Sequence, residues 1–243
     1  MDMRVFHRTL ASICCALVLA LMPRACEPAF AATIAQSPGT TTLPGLPATF
    51  AGDLPCADCQ ALRYHLDVFP DGTYFRRMTY VGKSDRGFDQ IGKWTLSQNG
   101  VLELKSGAEA SGRFQLGDAN TLRALDQAGK PIESAHNSDL KRQGAFAPIE
   151  PALRLRGLYS NFADSGWFTE CLTGTRMPVA QEAQNAALEE AYSKARPAPK
   201  STLLATVEGR IAMRMPMEGP GPRPTLIVDR FVSVEPGDCD EPI

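Results

Sequence analysis

No long basic run interrupts this chain. Its 25 lysines and arginines are interspersed with 27 acidic residues for a net charge of −2. Without a basic cluster there is no electrostatic footprint for a phosphate backbone or an anionic lipid surface, so nucleic acid is not an expected partner. The chain also lacks an apolar run of the ~20 residues that a transmembrane helix requires. The nearest approach is Ile13 to Met22, close to the N-terminus. No glycine-rich phosphate loop follows a strand-like segment, and no helix carries a His/Glu metal motif. Serine, aspartate and histidine are present, His136 among them, but no spacing ties them into a paired-carboxylate or Ser-His-Asp unit. The expectation is a protein that is not an enzyme.

What the N-terminus does contain is an export signature. Arg4 and Arg8 precede the apolar stretch, and Ala29-Phe30-Ala31 places small residues where a signal peptidase cuts. Residues 1–31 therefore read as a cleaved signal peptide, and the remaining chain as an extracytoplasmic protein of the periplasm or cell envelope. Of seven cysteines, Cys14, Cys15 and Cys26 fall within that segment, leaving Cys56, Cys59, Cys171 and Cys239. An even number in an oxidising compartment suggests two bridges. Proximity pairs Cys56 with Cys59, which leaves Cys171 for Cys239.

Residues 32–47 are rich in Thr, Ser, Pro and Gly and read as a flexible tether. From residue 48 to 142 the pattern is that of short strands. Leu62, Tyr64, Leu66 and Val68 alternate with Arg63, His65 and Asp67, and Pro70-Asp71-Gly72 supplies a turn before Tyr74 to Val81. Further strand pairs flank Gln98-Asn99-Gly100 and Gly117-Asp118-Ala119-Asn120. Evenly spaced strands point to a closed barrel or sandwich, since closure removes exposed edges. Residues 143–152 read as a linker. In residues 153–243, about five strands and one helix after the third outline an OB-type barrel. The helix is placed at Gln181 to Arg196, with Ala183, Ala187, Leu188, Ala191 and Tyr192 on one face and Pro197 and Pro199 ending it. The expected class is all-β, two small barrels with one helix.

Two features carry candidate chemistry. Cys56-Ala57-Asp58-Cys59 brings two sulfurs close together and supports three readings: a structural disulfide, a soft-metal site for Cu(I) or Zn(II), or a redox pair. His65 has the parity to approach the same rim. The second feature is Met213-Arg214-Met215-Pro216-Met217, where alternation on a strand would place the thioethers of Met213, Met215 and Met217 on one face. Thioether sulfur selects Cu(I), which makes this a secondary copper candidate. The three methionines also share parity with Val207 and Ile211, the pattern of an ordinary core-facing strand.

The string Gly52-Asp53-Leu54-Pro55-Cys56-Ala57-Asp58-Cys59, with Asp71-Gly72-Thr73-Tyr74, Gly92-Lys93-Trp94 and Gly129-Lys130-Pro131-Ile132-Glu133-Ser134, resembles the N-terminal domain of the NlpE copper-homeostasis lipoproteins. Leu155-Arg156-Gly157-Leu158-Tyr159, Phe168-Thr169-Glu170-Cys171 and Val207-Glu208-Gly209 extend the resemblance through the second half. The resemblance implies a lipocalin-like N-terminal barrel and a C-terminal OB-fold. It also implies an envelope protein linked to copper resistance and to signalling envelope stress to a sensor-kinase system. One departure stands out. Family members carry lipid on a cysteine that follows a lipobox with Leu three positions back, whereas Cys26 follows Pro23-Arg24-Ala25 and Cys14 follows Ala11-Ser12-Ile13. An unlipidated, secreted form is therefore expected, with membrane contact only if lipid were attached. Two functions remain: an envelope sensor or adaptor working through protein contacts, and a Cu(I)-binding buffer or carrier.

Overall fold

The computed structural model describes residues 43–163, 165–216 and 219–240. The signal-peptide reading, most of the tether and Met217 lie outside the described residues. Eight strands form the N-terminal part: β1 (Ala48–Leu54), β2 (Ala61–Val68), β3 (Thr73–Val81), β4 (Gly87–Leu96), β5 (Val101–Ser106), β6 (Glu109–Asp118), β7 (Thr121–Ala124) and β8 (Asp139–Arg142). Each pairs antiparallel with the next, and β8 returns to β1 through Phe50↔Arg142 and Ala51↔Lys141, closing the barrel. The turn at Pro70-Asp71-Gly72 works as the sequence suggests: Gly72 takes φ +82°, and the Asp71 carboxylate accepts the Thr73 amide at 2.9 Å.

Alternation sorts the barrel's side chains. Phe50, Tyr64, Leu66, Tyr74, Leu102, Leu104, Phe114, Leu122 and Leu140 fill the interior. Strand β3 breaks the rule, because Phe75 on its outer face is buried as well. Phe75, Phe69 and Ile91 leave the barrel outward and join a second core made by the C-terminal half.

That half comprises β9 (Ala152–Phe162), β10 (Ser165–Glu170), β11 (Arg176–Pro178), α1 (Asn185–Ala195), β12 (Leu203–Arg214) and β13 (Arg223–Glu235). The sheet order is β11-β10-β9-β12-β13. Beyond β11 the chain runs parallel to β13 through Val179↔Leu226, with Ala180 N–H donating to Leu226 O and Gln184 N–H to Val228 O. This joins the two edges into an OB-fold, with α1 between the third and fourth of its strands. The same hydrogen bonds explain why the helix begins four residues later than its apolar periodicity suggests. Residues 180 and 184 commit their amides to β13, and Ala183 sits at φ +52°, incompatible with a right-handed helix. Leu188 and Tyr192 are buried as expected, and Tyr192 meets Tyr159 edge-on at 5.2 Å between ring centroids.

The segment between the halves is anchored along its length. Gln143 N–H donates to Thr49 O, Ala147 N–H to Thr49 Oγ1 at 3.1 Å, and Ile149 N–H to Asp67 Oδ2 at 2.9 Å. Phe146 stacks edge-on against Phe69 at 5.6 Å. Asp89 on β4 accepts two hydrogen bonds from Arg77 and a third from the Ala152 amide at 2.8 Å, tying the start of β9 to the barrel wall.

Candidate functional site

The loop joining β1 to β2 carries the CxxC. Antiparallel pairing brings Leu54 opposite Leu62, so the residues between must cross the barrel's end in a short arc. Cys56 and Cys59 are bridged, with Cα atoms 5.4 Å apart, within ordinary disulfide reach. Both are half-buried at the barrel rim. Asp58 between them is exposed and forms an ion pair with Lys83 from the β3–β4 turn. That hydrogen bond and its charge hold the Asp58 carboxyl below the usual range. The only group of three potential metal-ligating side chains among the described residues is Cys56, Asp58 and Cys59, whose ligand atoms lie within 4.8 Å of one another.

In the bridged state neither sulfur is a thiolate, so the donor set there is the exposed Asp58 carboxylate alone. Reduction would release two soft donors beside it, a set suited to Cu(I) or Zn(II). His65 does not join them. It lies on the outer face of β2, where Nε2 is 3.1 Å from Asp67 Oδ1. Of the methionine candidate, the described members Met213 and Met215 are not brought together. Met213 packs against the C-terminal core, but β12 ends at Arg214 and Met215 projects into solvent, 70% exposed. Shared parity holds only while the strand continues, and Pro216, with no amide to give a ladder, follows directly.

The second bridge joins Cys171, just after β10, to Cys239 beyond β13, with Cα atoms 5.3 Å apart and a sequence separation of 68. The turn that holds Cys171 is built around Glu170, which is 1% exposed. Its carboxylate accepts from the amides of Leu172 and Thr173 at 2.9 and 2.7 Å and from the Thr173 hydroxyl at 2.7 Å. Cys171 N–H donates to Arg156 O on β9. The bridge lines a cleft of about 690 Å³ between barrel and OB-fold, whose walls include Ile91, Leu153, Leu155 and the half-exposed Leu172.

Two polar groups central to this arrangement escape a reading of motifs: Asp67 and Glu170. Buried acids within an alternating strand look in sequence like any solvent-facing position. A signal was present for Phe75, since Tyr74-Phe75 puts large apolar residues on both faces of one strand, which requires something to pack outside the barrel.

Comparison with known proteins agrees with the two-part architecture. Residues 50–135 match the family model described as the NlpE N-terminal domain, and residues 149–240 match the NlpE C-terminal OB domain. The lipoprotein NlpE of Escherichia coli strain K12 is 34% identical over 197 residues, spanning 80% of this chain and 81% of that protein. Among solved structures, the Cpx pathway activator NlpE from Escherichia coli aligns with 31% identity over 81% of this chain and all of that one, at a TM-score of 0.35. A candidate lipoprotein from Shewanella oneidensis aligns with 27% identity over 41% of this chain and 90% of its own, also at 0.35. With both domain models matched in order and a relative covered over four-fifths of its length, the chain belongs to the NlpE family.

Proposed function

We propose that this protein is an envelope protein of the NlpE type, exported to the periplasm and not an enzyme, that takes part in copper resistance and envelope-stress sensing through contacts with other proteins. The observation that carries this reading is the co-occurrence, in order, of both NlpE domains with a 34% identical relative, which a solved structure names as a Cpx pathway activator. Its partner would be a sensor-kinase system of the envelope. The signal would be the state of the protein itself. A domain clipped by a bridge across 68 positions depends on oxidative folding, so failure to form that bridge changes the surface it presents. Because Cys26 and Cys14 lack a lipobox, the mature chain is unlipidated and begins near Ala32.

The test is a stress-pathway reporter in Escherichia coli cells that lack their own NlpE. Expression of this chain should induce the reporter, and the same chain without residues 1–31 should not. Equal output from both forms, or from neither, contradicts the proposal. The alternative, a Cu(I) buffer or carrier, is favoured by one observation: Cys56, Cys59 and Asp58 converge at an accessible rim. It requires the reduced protein to bind about one Cu(I) and the Cys56→Ser/Cys59→Ser form to bind none. A reduced protein that takes up no copper rules that alternative out.

A further inference from the structure

The cleft of about 690 Å³ between barrel and OB-fold is walled by strand edges rather than by strand faces. Side chains alternate between the two faces of a strand, so a surface formed by one face draws on every second residue. This cleft instead touches four consecutive residues of β9, 153–156, and three consecutive residues of β4, 89–91. Both runs lie where a neighbouring strand stops short. On β9, the ladder to β10 ends at Gly157↔Glu170, while on the other side the ladder to β12 continues to Ala152. On β4, pairing with β5 begins only at Lys93, while pairing with β3 extends back to Gly87.

Hydrogen bonds at either end of the β9 run show which groups face the gap. Arg156 O accepts Cys171 N–H at 3.0 Å, and Ala152 N–H donates to Asp89 Oδ2 at 2.8 Å on the barrel. Residues two apart in an antiparallel strand direct N–H and C=O to the same side. Arg154, midway between, therefore presents both groups to the cleft, with no strand beside it among the described residues. A sheet edge left in this way is a template for another strand. Leu153, Leu155 and Ile91 give the cleft an apolar lining, to which Leu172 adds a side chain that is 49% exposed. The two carboxylates on its border are already engaged, Asp89 by Arg77 and the Ala152 amide, Glu170 by the amides of Leu172 and Thr173. Neither is left to attract a cationic ligand.

We propose that the cleft takes an extended peptide segment of a partner protein, apolar at alternate positions, added as a strand along residues 152–156 of β9. Its main chain pairs with Arg154, and its apolar side chains lie against Leu153, Leu155 and Leu172. Recognition of this kind takes affinity from the main chain and specificity from the surfaces that meet alternate side chains. Two strand edges facing one apolar space favour an extended segment over a compact molecule. The assignment rests on the reading of this protein as one that works through protein contacts, and it names the chemistry of the surface that the partner offers.

The probe is the acetylated and amidated peptide Thr-Val-Thr-Leu-Thr-Val-Thr, titrated into the oxidised mature protein and followed by calorimetry and amide hydrogen exchange. It should bind saturably at about one equivalent and slow exchange of the Arg154 amide by at least ~tenfold. Successive amides of an extended peptide point to opposite sides. N-methylating one alternate set, that of the apolar residues or that of the threonines, should therefore weaken binding at least ~tenfold. Leu172→Glu should weaken it by a similar factor and leave the melting temperature unchanged, because the position is half-exposed. Binding without protection of the Arg154 amide, or equal tolerance of both methylated peptides, overturns the proposal and leaves a pocket for compact apolar molecules. So does the absence of saturable binding, or an unaltered affinity in folded Leu172→Glu protein. A chain that binds the peptide as described but fails to induce the stress reporter counts against the proposed function and not against this site. Induction of the reporter without peptide binding counts against the site alone.

Discussion

Asp67 Oδ2 accepts the backbone N–H of Ile149 at 2.9 Å, a hydrogen bond that joins the end of barrel strand β2 to the segment leading into the OB-fold. The same fully buried carboxylate accepts the Thr49 hydroxyl at 2.6 Å and lies 3.1 Å from His65 Nε2. One side chain thus organises three donors from three stretches of chain.

Replacing Asp67 with Ala should therefore cost about 2 kcal/mol, because the buried Thr49 hydroxyl and the partly buried Ile149 amide and His65 ring lose their acceptor. Urea denaturation measures this. Limited proteolysis should report the same change locally, as faster cleavage between residues 143 and 151. A variant with unaltered denaturation midpoint and unaltered cleavage would mean that the connecting segment is held by Phe146 and Ile149 packing alone.

The bridge between Cys171 and Cys239 should be the larger of the two redox contributions to stability. Closing a loop across 68 positions contributes ~4 kcal/mol in the chain-entropy model, whereas a separation of 3 restricts the unfolded chain very little. Cys171→Ser/Cys239→Ser should lower the melting temperature by several degrees or more, and Cys56→Ser/Cys59→Ser only slightly. Comparable losses from the two double variants would contradict this ranking.

Acid should loosen the barrel seam. The Arg123 guanidinium, by hydrogen bond and charge, holds the Asp139 carboxyl below its usual range, with Lys141 adding to the effect. A carboxyl whose folded pKa is depressed adds stability that is complete above the unfolded value of ~4 and disappears as pH falls through the folded one. The pairs are partly exposed, so the contribution is below about 1 kcal/mol. Asp139→Asn should reduce stability at pH 7 by about that amount and leave it unchanged at pH 2. A difference that persists at pH 2 would assign the loss to packing or to backbone hydrogen bonds.

Gly92 is required by a close approach. A Cβ at this position would fall 2.0 Å from Lys105 O and 2.7 Å from Tyr74 Cε1. Backbone on one side and a buried ring on the other leave no direction in which to yield, so Gly92→Ala should destabilise by ~2–3 kcal/mol. Gly129, at φ +78° with open space around it, should tolerate Asn at little cost. Thermal melts of the two variants make the comparison.

Much of this architecture was legible because barrels advertise themselves through alternation. Leu62 to Val68 and the turns at Asp71-Gly72 and Asn99-Gly100 locate strands without further help, and the order of strands and helix in the second half suffices for an OB-fold. Strand β8 was not legible: its four residues, Asp139–Arg142, gain meaning only from their pairing with both β1 and β7. Nor was β11, three residues long and defined by β10 and by the run beside β13. The end of β12 depended on where its partner stops, so parity carried the methionine reading past Arg214. In the CxxC loop, the proximity of the cysteines could be read directly. The convergence of Asp58 and the divergence of His65 could not, since they follow from how the loop bends over the rim and which face of β2 lies outside.

The central claim is that the protein acts by contact with another protein. Its most direct test is the binding of the purified, oxidised mature chain to the periplasmic domain of the envelope stress sensor kinase, followed by interferometry. The account predicts saturable binding without added copper, altered when Cys171 and Cys239 are replaced by Ser. No detectable binding by oxidised or reduced protein, alongside stoichiometric Cu(I) uptake at Cys56 and Cys59, would contradict it and leave the copper carrier in its place.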